Sequence, residues 1–268
     1  MLFIEGSAGI SGDMTVGALL SLGACAERLK VTLDSLKLGN EFSYTISEKS
    51  SYGIAGTDFD VILPHEHHDH GYGHGHGHGH GHEHDSALGH HSGHHHEHRN
   101  LADVEAVIDR GEMSDRARTF AKKAFRLVAE AEAKAHGKPV GEVHFHEVGA
   151  IDSIVDIVSA AVLFDDLGDS DCVVTGLTEG TGTVMCAHGE LPVPVPAVLN
   201  IAAATGIPLR PSETQGECVT PTGIALAATF RTRCALPPAY KVLRVGTGLG
   251  KRDYGRPAIL RILKIEPA

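Results

Sequence analysis

Residues 65–98 constrain the fold more than any other stretch. Sixteen of the chain's twenty histidines stand there, around the run HGYGHGHGHGHGHEH at 70–84. Alternating imidazole and glycine offer almost no apolar surface, so this tract cannot add to a core. What remains must fold by closing across it. The expected organisation is one domain made of 1–64 and 99–268, with 65–98 a disordered, metal-binding loop.

Without the tract the sequence is still long enough for a substantial core, and 42% of the chain is hydrophobic. Tryptophan is absent and aromatics make up 5%, so that core must be built from Ala, Val, Ile and Leu. The formal charge is −11, and the tract supplies five of the negatives (Glu66, Asp69, Glu83, Asp85, Glu97) with no Lys or Arg. An acidic chain argues against nucleic acid or an anionic membrane as partner. No apolar stretch approaches the ~20 residues of a membrane span. The N-terminal MLFIEG lacks the basic region of a secretion signal. Five dispersed cysteines without a CxxC pair predict reduced thiols in a cytoplasmic protein.

MLFIEG reads as a buried strand and SGDMTVGALLSLGA as a helix, followed by a second helix over 26–36. FSYTISEKS and GTDFDVIL alternate apolar and polar residues, which predicts two antiparallel strands. Asn100 and Ser114 stand where N-caps belong before LADVEAVIDR and DRARTFAKKAFRLVAEAEAKA, and Gly137 ends the second of these. AIDSIVDIVSAAVLFDDLG carries an apolar stripe at helical spacing through Ile151, Ile154, Val155, Val158 and Val162. DCVVTGL, YKVLRVG and AILRILKI read as strands; VPAVLNIAAATG and PTGIALAATF read as short helices. The mixture predicts an α+β fold, a mixed sheet with packed helices, with α/β as the alternative.

Five segments carry candidate chemistry. In the tract, His74, His76, His78, His80 and His82 are ligands suited to Ni, Zn, Cu or Co, and glycine lets the backbone wrap an ion; a linker of biased composition is the plainer account. GSAGISGDM (6–14) is a glycine turn between strand and helix. Ser7, Gly9, Ser11 and Gly12 would present amide and hydroxyl donors to a phosphate, or Ser11 simply caps the helix with Asp13 in its first turn. VHFHEVGAIDSIVDIV (143–158) brings His144, His146, Glu147, Asp152 and Asp156 into one short stretch, a fair donor set for a divalent ion. Hydrogen-bonded core histidines with helix-capping acids are the alternative. GTGTVMCAHGELPVPVP (180–196) adds His188 in a loop before a stiff proline segment, with Cys186 as inert packing. In GECVTPTGIALA (216–227), Thr220 is an N-cap and Pro221 the first helical residue; Thr222 and Gly223 would offer amides to a second anion. Lys251 and Arg252 in GTGLGKRDYGRP (246–257) could also meet anions, with solvated surface charge as the plainer account.

Taken in order, GISGDM, EAKAHG, VHFHEVGAIDS, HGELPVPVPA, TPTG and GTGLGKRD, with a His-rich insertion before the third helix, resemble the LarC family of nickel-insertion proteins from residue 1 to about residue 262. The resemblance implies a lyase-class insertase. It would place nickel in pyridinium-3,5-bisthiocarboxylic acid mononucleotide with CTP and Mg²⁺ or Mn²⁺, forming two Ni–S bonds and one Ni–C bond for the cofactor of lactate racemase. Longer members continue into a C-terminal, nucleotide-linked region not found in these 268 residues, so the expectation is either a companion chain that supplies it or a protein that only delivers nickel. Glu5 stands where the family pattern suggests aspartate.

On this reading the substrate phosphate sits on Gly9–Gly12 or on Thr222 and Gly223. Nickel binds at His144, His146 and His188. Glu147 or an imidazole such as His146 takes the ring proton, and Asp13, with Asp152 and Asp156, holds a second ion. The rival reading is a non-catalytic nickel or zinc storage or delivery chaperone; a zinc hydrolase on His144, His146 and Asp152 is a third.

Overall fold

The first strand, β1 (Leu2–Glu5), is almost wholly buried. In the computed structural model, which describes residues 1–64, 99–142, 151–186 and 188–268, β1 lies inside a six-stranded sheet. It pairs antiparallel with β10 (Ile259–Pro267) and parallel with β4 (Cys172–Val173). β10 pairs antiparallel with β9 (Tyr240–Leu249). β9 meets β3 (Ile54–Ile62) in parallel at Thr57↔Gly248, and β3 closes a hairpin with β2 (Ser43–Ser51). The order is thus β2-β3-β9-β10-β1-β4. The sheet is mixed and the fold is α+β, as expected. Strands from before and after the tract are neighbours in one sheet.

Helix α1 (Gly12–Leu22) runs on from β1 and packs on β3, β9 and β10. Leu19 and Leu22 are buried and Leu20 packs at the margin of the core. α2 (Ala26–Ser35) follows as predicted. α3 (Leu101–Arg110) starts with a reciprocal capping box between Asn100 and Asp103. α4 (Asp115–His136) starts with Ser114 accepting from the Ala117 N–H at 3.0 Å and ends at Gly137. Its buried stripe centres on Ala121, Ala124, Phe125 and Val128; Phe120 and Leu127 sit at the edge of the core. Phe120 packs edge-on to Phe164 and Phe230, whose own rings stack at 4.0 Å.

α5 (Ile151–Asp166) is buried nearly all round: Ile157, Ala160, Ala161, Leu163 and Phe164 join the predicted stripe. It packs on α1, α2, α4 and α7 (Pro221–Phe230), the position expected of a helix without a polar face. Its N-terminus therefore opens from inside the molecule. α6 (Pro196–Thr205) packs on α4 and α7.

Three features depart from the local reading. DCVVTGL is not one strand: β4 stops at Val173, and β5 (Leu177–Thr181) begins a separate parallel ladder with β8 (Leu209–Gln215). β8 shows no clean burial alternation and contains Pro211. The glycine- and proline-rich 180–196 stretch holds a hairpin of β6 (Thr183–Cys186) and β7 (Gly189–Pro192).

Candidate functional site

Three helix N-termini meet at one cleft of about 870 Å³. Ser11, Gly12 and Asp13 come from α1, Asp152, Ser153 and Asp156 from α5, and Thr220 and Thr222 from α7. The β2–β3 hairpin closes one side with Lys49, Tyr52, Asp58 and Asp60, and the loop after β9 brings Lys251, Arg252 and Asp253.

Backbone ties hold the three starts together. The Ile10 N–H donates to the Cys218 carbonyl at 2.9 Å, and the Thr220 N–H donates to the Ile10 carbonyl at 3.0 Å. Gly9 has φ +100, and a Cβ there would run into the Cys218 carbonyl oxygen. Glu179 of β5 fixes the second loop from below. Its carboxylate is 1% exposed, and Oε1 accepts from the N–H groups of Gly180 (2.8 Å), Cys218 (2.7 Å) and Val219 (3.0 Å). Its Oε2 has no hydrogen-bond partner among the described residues. Burial pushes its pKa up, against the pull of the three amides.

At the start of α1 the Ser11 hydroxyl does not cap the helix: it donates to Asp13 Oδ1, which also accepts from the Met14 N–H at 2.9 Å. Asp13 Oδ2 lies 3.9 Å from Lys251 Nζ, which also pairs with Asp60. Asp156 packs on Gly12, leaving no room for a side chain there. Its Oδ1 is buried without a hydrogen-bond partner among the described residues. Burial drives the Asp156 carboxyl well above the usual carboxylate range, and the charges of Asp13 and Asp152 add to that. Asp13 is raised as well, by burial first, with Ser11 and Lys251 opposing. Lys251 is raised although burial opposes it, through its bond to Asp60 and the charge of Asp13. Of these two neighbouring carboxyls Asp156 has the more strongly raised proton affinity, and Asp13 also holds a proton more readily than a carboxylate in water.

The sequence candidates divide. Ser11, Gly12, Asp13, Asp152, Thr220 and Thr222 line the cleft. Gly9 lies buried behind the lining, and Ser7 is exposed outside it. The Gly223 N–H donates to Thr220 Oγ1 at 3.1 Å, so this amide is engaged within the cap. His188 lies outside the lining; its ring packs on that of His136 with centroids 4.9 Å apart. His144, His146 and Glu147 lie outside the described residues, as do His74, His76, His78, His80 and His82. Both of those stretches join the cleft wall in the chain: Leu63 lines it just before the tract, and Asp152 lines it just after 143–150. Among the described residues no group of three His, Cys, Asp or Glu side chains is arranged to hold a metal ion. Asp13, Asp152 and Asp156 share this wall of the cleft with Lys251.

Reading the chain alone passed over Lys49, Asp58 and Asp60. The two acids had a local signal in TDFDV, where Asp58 and Asp60 share one strand face and Phe59 points to the other; Lys49 had none.

Residues 2–267 match the family model described as nickel insertion protein. The chain belongs to that family. It is 47% identical over 265 residues to the pyridinium-3,5-bisthiocarboxylic acid mononucleotide nickel insertion protein of Alkaliphilus metalliredigens, covering 99% of this chain and 60% of that protein. It is 46% identical to a putative nickel insertion protein of Maridesulfovibrio salexigens, over 98% of this chain and 62% of the relative. A namesake of the first in Clostridium acetobutylicum is 40% identical over 98% and 63%. The chain therefore spans about three fifths of the length of these nickel insertion relatives. No solved structure matches it. Among the described residues no helix is long and apolar enough to cross a membrane.

Proposed function

We propose that this chain carries the metal-loading and substrate-binding part of a nickel insertase. Its substrates are Ni²⁺ and pyridinium-3,5-bisthiocarboxylic acid mononucleotide, and its reaction is of the lyase class. One observation carries the reading: the convergence of α1, α5 and α7 on a cleft whose wall is continuous in the chain with the histidine tract and with VHFHEV. In this reading 1–64 and 99–268 work as one domain and 65–98 gathers nickel. The substrate phosphate lies on the amides at Ser11 and Gly12 and the hydroxyl of Thr222, with Lys251 as counter-charge. Nickel passes to His144 and His146.

Forming the Ni–C bond breaks a ring C–H bond, and the electron pair of that bond goes to nickel while the proton leaves to a base. Asp13 is assigned as that base, with Glu147 and His146 as the alternative acceptors. Its raised proton affinity suits the task, and Asp156 beside it keeps the site from carrying two adjacent full charges. CTP with Mg²⁺ or Mn²⁺ is assigned as co-substrate on family resemblance. Its binding is placed in the region the relatives possess beyond the matched span, whether on the same polypeptide or on a companion chain. None of the five cysteines is in a disulfide among the described residues, which is in keeping with the cytoplasmic location proposed here.

Storage alone requires the tract but not a cleft of this construction. The test supplies the protein with Ni²⁺, CTP and the bisthiocarboxylate mononucleotide, adds the remaining region of a relative in a second arm, and measures metallated product by mass spectrometry. Insertion is expected in at least the second arm, with D13N and H146A each slower by about 10²-fold or more. Wild-type rates in both variants, or no product in either arm, would overturn the proposal.

A further inference from the structure

His136 and His188 stand far apart in the chain and outside the cleft, yet their rings meet. His136 is the last residue of α4, and His188 sits at the turn of the β6–β7 hairpin. Their centroids are 4.9 Å apart with the planes inclined at 42°. Glu132, one helical turn before His136, places Oε2 3.5 Å from His136 Nε2. His188 is exposed and His136 half-buried, so an ion in water reaches both.

This spacing is compatible with two imidazoles on one ion. With a metal–nitrogen bond of about 2.0–2.1 Å and a ring nitrogen about 1.1 Å from its centroid, ion and centroid lie about 3.2 Å apart; two ligands at about 90–110° then hold their centroids about 4.5–5.2 Å apart. Glu132 places a carboxylate oxygen beside the pair, 3.5 Å from His136 Nε2. Cys186 is not assigned, because its thiol donates to the Gly189 carbonyl at 3.2 Å.

We propose that His136 and His188 form a two-imidazole binding site for Ni²⁺, distinct from the tract and from the cleft. Two protein ligands leave most of the coordination sphere to water, so the site exchanges metal readily. His136 also lies only eight residues before His144, which makes the pair a landing place on the way to VHFHEV. The choice of ion rests on the nickel-insertion reading; the pairing itself does not.

The test uses the full chain and Ni²⁺ alone. Diethyl pyrocarbonate labels imidazole nitrogens that carry no metal, and peptide-resolved mass spectrometry reads each histidine separately from the tract. Adding Ni²⁺ should cut labelling of His136 and His188 at least fivefold, over one and the same concentration range, and Mg²⁺ should change neither. In H136Q the protection of His188 should vanish while that of the tract persists, with circular dichroism verifying the fold; E132Q should raise the Ni²⁺ midpoint severalfold. Protection of only one ring in the wild type, protection of neither, or full protection of His188 in H136Q would overturn the site. None of these readings uses insertion activity, so the site and the insertase assignment fail separately.

Discussion

Two buried carboxylates, Glu179 and Asp156, answer different needs, and substitutions separate them. Glu179 Oε1 serves three amide N–H groups. Removing it in E179A strands all three, at about 1–3 kcal/mol for each buried donor left unpaired. At about 2–4 °C per kcal/mol for a chain of this size, the melting temperature should fall by roughly 6 °C or more. E179Q keeps the accepting oxygen and should lose less than half as much. Asp156 is the reverse case. Its folded-state pKa lies above the unfolded value near 4, so the native state binds the extra proton and stability falls as pH rises from about 4 through the raised value. D156N removes that penalty. Its melting temperature relative to wild type should therefore be higher at pH 8 than at pH 4.5, and an equal difference at both would refute a retained proton. Asp156 was visible in the sequence as an acid four residues from Asp152 beside an apolar stripe. The pairing of Asp60 with Lys251 was not, because the two lie 191 residues apart and no local pattern reports such a pair.

The helices were legible because their boundaries are local chemistry: Asn100 with Asp103, Ser114 before α4, and Thr220 before Pro221 each act where they stand. β8 and the β6–β7 hairpin were not, because their pairing depends on partners set by the fold, and Pro211 and the glycines at 180 and 182 mimic loop composition. The cleft belongs to this scale too. Its floor is the contact between the Gly9 turn and Cys218, and that contact can be weighed. Gly9 and Gly137 both have positive φ, +100 and +63, yet a Cβ at Gly137 meets nothing within 4 Å. G137A therefore costs only the left-handed backbone, about 1–2 kcal/mol. G9A adds the collision with Cys218 and should cost at least twice as much, read as the difference between two thermal unfolding midpoints. It should also displace Ser11 and Thr220 together, weakening inorganic phosphate binding in a way G137A does not. Equal midpoints would mean the two loops are not mechanically joined.

For the whole molecule, the question is what the tract contributes to the folded body. β3 ends at Ile62 with its hairpin complete, and α3 begins at Leu101 under its own capping box, so neither flanking element draws its ends from 65–98. Strands β1, β3, β9 and β10 close the sheet across the gap through their own ladders. The entropy of closing such a loop depends only weakly on its length, about 0.6 kcal/mol for each doubling, and not on its histidines. Replacing 65–98 with a Gly/Ser segment of equal length should therefore move the melting temperature by no more than about 2 °C, while removing 16 of the 20 imidazoles and with them most bound nickel. If the tract holds nickel as proposed, that nickel should be released as the pH falls from about 7.5 to about 5.5, because protonation of imidazole takes the lone pair that binds metal. If insertion by the replaced chain persists when Ni²⁺ is abundant and fails only when it is scarce, the tract collects metal for a cleft that works without it. If insertion fails at every Ni²⁺ concentration while the melting temperature is unchanged, the histidines belong to the reaction itself, and the division between a gathering loop and a working domain has to be abandoned.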